Sequence, residues 1–67
     1  MVAKVERILQ CLDEITDPDQ MALPGYRLHL LGGDLRGFWS VTVNGNWRVI
    51  FRFNDGQPHK VDLIDYH

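Results

Sequence analysis

The sequence predicts an α+β domain in which one or two N-terminal helices pack on a four-stranded antiparallel meander. Two observations carry that reading. Apolar residues change from a spacing of three and four to strict alternation at about Tyr26. Two glycine turn signals, Asn44-Gly45 and Asn54-Asp55-Gly56, then divide the alternating half into hairpins. The 67 residues suffice for a single domain spanning 1–67.

In chain order, Val5, Ile8, Leu9, Leu12 and Ile15 fall on one stripe, so residues 3–16 read as an amphipathic helix. "TDPDQMAL" offers Thr16 or Asp17 as an N-cap and Pro18 near the first helical position, which suggests a second, short helix closed by "LPG". "YRLHLL" is the first strand, ended by Gly32-Gly33-Asp34. "GFWSVTV" and "NWRVIFRF" form a hairpin about Asn44-Gly45, and "HKVDLIDYH" completes the meander.

A domain of this size has a thin margin of core over conformational entropy, and such chains often lean on a metal, a disulfide or a partner. An internal disulfide is excluded because Cys11 is the single cysteine. It reads as a small core residue in a reducing compartment. No run approaches transmembrane length and no signal-peptide pattern opens the sequence, so the expectation is a soluble cytoplasmic domain without membrane contact.

The formal net charge of -2 excludes a protein that is basic throughout, but the charge is unevenly spread. Residues 1–24 carry Lys4 and Arg7 against Glu6, Asp13, Glu14, Asp17 and Asp19. Residues 25–53 carry Arg27, Arg36, Arg48 and Arg52 against Asp34 alone. Residues 54–67 carry Lys60 against Asp55, Asp62 and Asp65. The positive middle is all arginine, whose planar fork suits phosphate, although arginines can also lie along a sheet face merely to keep their heads in water.

If Asn44 and Gly45 form the hairpin loop, Val41 faces Arg48, Trp39 faces Ile50 and Gly37 faces Arg52. One sheet face then shows Trp39, Asn46, Arg48 and Arg52, a surface fitted to RNA or to a protein partner. The other shows Phe38, Trp47, Val49, Phe51 and Phe53 and is the better core. The last hairpin has two readings. A two-residue turn at Asp55-Gly56 puts Asp65 and His67 on the arginine face; a three-residue turn through Asn54 puts Lys60, Asp62 and Tyr66 there.

The stretches "LPGYRLHLLGGDLRGFWSVTVNGNWRVIFRF" and "DLIDYH" resemble the HigB toxins, also called plasmid-maintenance killer proteins, a branch of the RelE superfamily. The resemblance covers nearly the whole chain and implies one RelE-like toxin domain. It further implies a ribosome-dependent endoribonuclease that cuts mRNA, inhibits translation and is neutralised by a helix-turn-helix antitoxin of the HigA type. The partners expected are that antitoxin, the ribosome and mRNA. Two departures stand out. The family pattern usually has a strand and further helical sequence ahead of the segment that opens here, so an open sheet edge and a shorter first helix are expected. The family also commonly has a lysine on the mRNA where this chain has Gly32.

The resemblance places His29, Asp65, Tyr66 and His67 in the active site. Such cleavage requires activating a 2′-hydroxyl against the adjacent phosphorus, neutralising the phosphorane and protonating the leaving 5′-oxygen. His67 and His29 are expected to exchange protons. Asp65 would orient an imidazole or accept from the 2′-hydroxyl, and Tyr66 would stack on or hydrogen-bond to substrate. Arg48 and Arg52 would hold the phosphate and Asn46 would touch a base. No cofactor is expected, and the spacing of His29, His59 and His67 does not support a metal site. The rival readings are a catalytically impaired, shortened toxin that only binds antitoxin or ribosome, and an unrelated interaction module using the arginine face.

Overall fold

A computed structural model describes residues 1–66. The first element is α1, Val2–Leu12, which buries Ile8 and Leu12. Burying a side chain of that size is worth about 1.5–3 kcal/mol. The helix stops short of the expected residue 16 because the chain turns to build the next cap. Pro18 disfavours helical backbone at Asp17, which is extended (φ -151°, ψ 138°). Asp17 Oδ1 accepts from Asp19 N at 2.9 Å, while Thr16 N and Asp17 N donate to Gln20 Oε1 at 2.6 and 3.2 Å. This capping box opens a single 3-10 turn, Pro18–Met21, in place of a second α-helix.

The sheet runs β1 (His29–Leu30), β2 (Trp39–Asn44), β3 (Trp47–Asn54) and β4 (Gln57–Asp65), each paired antiparallel with the next in order. A short 3-10 turn at Gly33–Leu35 joins β1 to β2. Strand β1 is much shorter than "YRLHLL" suggests, because Arg27 has a left-handed φ of 49° and breaks the ladder. Tyr26 still bonds across the gap, its carbonyl accepting from Thr42 N at 2.6 Å.

Both hairpins depart from uniform pairing. In the first, Asn44 pairs with Trp47 and Thr42 with Arg48, so the loop is Gly45-Asn46 and Val43 is the bulged residue. The extra residue moves β2 by one relative to the expected register. Trp39, Val41 and Val43 therefore join Val49, Phe51 and Phe53 on the face covered by α1, and Trp39 packs on the core instead of lying among the arginines. Ser40 and Thr42 take the expected place of Trp39 beside Arg48. The aromatic among the arginines is Phe38, next to Arg52.

In the second hairpin the loop is Asp55-Gly56, both with positive φ (55° and 77°), as a two-residue primed turn demands. Farther along, Arg52 pairs with His59 but Ile50 pairs with Asp62, leaving Lys60 and Val61 opposite Phe51. Lys60 takes the left-handed φ of 52° at this bulge. The two-residue turn is thus combined with the facing expected of the longer one: Asp62, Ile64 and Tyr66 alternate onto the arginine face, and Asp65 lies opposite Trp47 on the other.

The core sits between α1, Met21 and Tyr26 on one side and Val41, Val43, Val49 and Phe51 on the other. Among the described residues no helix is long and apolar enough to cross a membrane. Among the described residues α1 is the only α-helix, so the sheet face turned away from it carries none, and the candidate site lies there.

Candidate functional site

On the bare face, β1, β2, β3 and the end of β4 enclose a cleft of about 260 Å³ lined by Arg27, His29, Leu31, Ser40, Thr42, Arg48 and Tyr66. Strand alternation assembles it. Leu28 points to the core, so Arg27 and His29 on either side of it face away. The Val43 bulge brings Thr42 directly across from Arg48. The Lys60 bulge swings Tyr66 onto this face, and the backbone locks it there, since Tyr66 N donates to the Asn46 carbonyl at 2.8 Å.

Arg48 is held at the base of the hairpin loop. Its Nη1 donates to the carbonyls of Gly45 at 2.7 Å and Trp47 at 3.1 Å. Nη2 and Nε have no partner among the described residues, so the guanidinium is oriented by neutral acceptors while keeping a pair of donors for an anion. A fixed positive charge of this kind costs little further ordering when an anionic group binds. His29 is also fixed, its Nδ1 lying 2.9 Å from the Arg27 carbonyl.

The structure brings together three of the residues expected in the site: His29, Tyr66 and Arg48. Asn46 stands at the rim, contributing its carbonyl to Tyr66. Asp65 is one residue beyond the cleft on the opposite face, across from Trp47. Arg52 is on the right face but does not line the cleft. Its Nη2 donates to the Arg36 carbonyl at 3.0 Å and its Cζ lies 4.5 Å from the centre of the Phe38 ring. His59 pairs with Arg52 toward the far turn, and His67 lies outside the described residues. Arg27, Ser40 and Thr42 escaped the sequence reading. The alternating rule would have found the last two had the Val43 bulge been visible, and Arg27 stands at the same-face position two before His29.

One helix packed on a four-stranded antiparallel meander is consistent with the α+β fold of the RelE-like toxins. The chain belongs to the HigB-like toxin family, the RelE-like toxins of type II toxin–antitoxin systems, whose pattern it matches over residues 1–67. It is 38% identical over 66 residues to the Endoribonuclease HigB of Proteus vulgaris, a match covering 98% of this chain and 72% of that protein. It is 37% identical over 62 residues to Toxin HigB-1 of Vibrio cholerae serotype O1, covering 81% of this chain and 65% of that protein.

Proposed function

We propose that the chain is a cytoplasmic, ribosome-dependent mRNA endoribonuclease that inhibits translation and is held inactive by a HigA-like helix-turn-helix antitoxin. The observation that carries this reading is the pre-oriented Arg48 guanidinium sharing one cleft with His29 and Tyr66. The name of the Proteus vulgaris relative supports the same chemistry.

In this mechanism the RNA backbone lies along the bare face and Arg48 holds the scissile phosphate through Nη2 and Nε. One imidazole takes the proton of the 2′-hydroxyl as its oxygen attacks phosphorus. The other protonates the departing 5′-oxygen, leaving a cyclic phosphate on one fragment and a 5′-hydroxyl on the next. His29 and His67 are the pair assigned to these steps, each worth on the order of 10²–10⁴-fold. Arg48 opposes the charge that builds on the phosphorane oxygens. Tyr66 offers its ring to a base or its hydroxyl to the phosphate. Asp65 is the residue assigned to orient an imidazole or to accept from the 2′-hydroxyl. Asn46, in the hairpin loop, is the residue assigned to touch a base, and Arg52, on the same face of β3 as Arg48, holds the segment ahead of β2 through the Arg36 carbonyl.

Gly32 favours a second reading. Without the lysine that the family commonly carries there, the chain would be an impaired toxin that binds antitoxin or ribosome without cutting. Primer extension on a defined mRNA translated in a purified system separates the two, with a chain ending before Asp65 as control. Cuts inside ribosome-occupied codons, absent with the control, are expected. Intact mRNA in the presence of the folded full chain would leave the impaired toxin as the better account.

A further inference from the structure

Among the described residues, three other than glycine have a left-handed φ: Arg27 (49°), Asp55 (55°) and Lys60 (52°). Asp55 serves a two-residue hairpin loop and Lys60 a bulge, both positions where strand pairing demands that conformation. Arg27 takes it just ahead of β1, where the β1–β2 register would set Thr42 across from Arg27 but Thr42 N bonds to the Tyr26 carbonyl instead. It follows Tyr26, which is buried in the core, whose N–H donates to Leu23 and whose carbonyl accepts from Thr42 N. Those anchors hold the turn in a conformation that is strained in a residue other than glycine.

The strain has a visible consequence in the cleft. The Arg27 carbonyl lies 2.9 Å from Nδ1 of His29. A carbonyl oxygen only accepts, so this hydrogen bond requires the proton on Nδ1. In the neutral ring the lone pair then belongs to Nε2. We propose that Arg27 is a positioning residue: its left-handed backbone fixes His29 in the Nδ1–H tautomer, so that Nε2 is the nitrogen that gives or takes the proton in the cleft. The tautomer follows from the hydrogen bond alone; its use in proton transfer rests on the endoribonuclease reading. The Arg27 side chain lines the same cleft, but the positioning role belongs to the backbone and is separable from its charge.

The test compares three variants that all lack the guanidinium. Arg27→Gly and Arg27→Asn tolerate the left-handed backbone, whereas Arg27→Val, β-branched, does not. The tautomer is read from long-range ¹H–¹⁵N spectra of the histidine rings in the free protein, with the His29 signals assigned by their loss in His29→Asn. Wild type, Arg27→Gly and Arg27→Asn are expected to show Nδ1–H at His29, and Arg27→Val to shift toward Nε2–H. At equal folded fraction, Arg27→Gly should cut on the order of tenfold faster than Arg27→Val in the translated-mRNA assay. An Nε2–H ring in the wild type overturns the proposal even if Arg27→Val fails to fold. An unshifted tautomer in folded Arg27→Val overturns the role of the backbone. Equal cutting by Gly and Val variants of different tautomer overturns the link to proton transfer. An Nδ1–H wild type that cuts no mRNA supports the tautomer assignment and counts against the endoribonuclease reading alone.

Discussion

Arg48 and Arg52 lie on one face of β3, four residues apart, in different surroundings. The Arg48 region is open: Nη1 is tied to two loop carbonyls, and the rest of the fork borders a cleft with His29 and Tyr66. The Arg52 region is closed: the guanidinium stacks on Phe38, bonds the Arg36 carbonyl and lies where Gly37 has no side chain. Residue type and strand face therefore do not decide whether an arginine serves a ligand or the fold. What decides is how a neighbouring loop meets it: residues 36–38 lie against the Arg52 guanidinium, whereas among the described residues the hairpin loop ties Arg48 through Nη1 alone.

The largest expected effect on stability follows from removing the closed end's arginine. Arg52→Ala deletes a hydrogen bond and a cation–π contact, together about 1–3 kcal/mol, which a shift in urea midpoint would register. A loss too small to measure would make Arg52 a surface residue and erase the contrast. Gly37→Ala attacks the same contact from below. At φ 92° an added Cβ is strained and runs into the Arg52 guanidinium, so a cost of about 1–2 kcal/mol is expected, non-additive with Arg52→Ala in a double-mutant cycle. Full additivity would mean that the two do not share an interaction.

The open end should instead accept new charge. Gly32 is in ordinary extended backbone (φ -118°), and an added Cβ there meets nothing within 4 Å. Gly32→Lys is expected to leave the fold unchanged and tighten binding to single-stranded RNA. Each new phosphate contact steepens the log–log salt slope by about 0.7. An unchanged slope would mean that RNA does not pass this corner.

The smallest effect expected is at Tyr26. Burial, followed by its contact with Cys11, raises the phenol pKa above 10.0. The unfolded chain then ionises first, so this contribution is complete below about pH 10 and is lost as pH rises through the folded value. Wild type should lose more stability than Tyr26→Phe between about pH 8 and about pH 10.5 in urea titrations. Parallel losses would show that the buried phenol does not govern the alkaline limb.

Much of this was legible in the sequence, and the rest failed for one reason. The helix stripe through Ile8 and Leu12, the Pro18 cap, the four strands and the Asp55-Gly56 loop all follow from local chemistry. The site is set by two single-residue bulges, at Val43 and Lys60, which no alternation rule announces because β-branched and charged residues occupy them. Each bulge flips every side chain beyond it. One exchanged Trp39 for Ser40 and Thr42 beside Arg48; the other turned Tyr66 in and Asp65 away. Arg48 was readable because it lies on β3, the strand that carries neither bulge, and His29 entered through the family resemblance, whereas the tie from Arg52 to Arg36 depends on a loop whose path the sequence does not specify.

The central claim is that Arg48 serves the RNA while Arg52 serves the fold. Primer extension with Arg48→Ala and Arg52→Ala, each normalised to folded protein, tests it directly. Arg48→Ala is expected to cut on the order of 10²–10³-fold less than wild type, and Arg52→Ala to stay within a few-fold of it. Equal losses in both variants, or none in Arg48→Ala, would contradict the account.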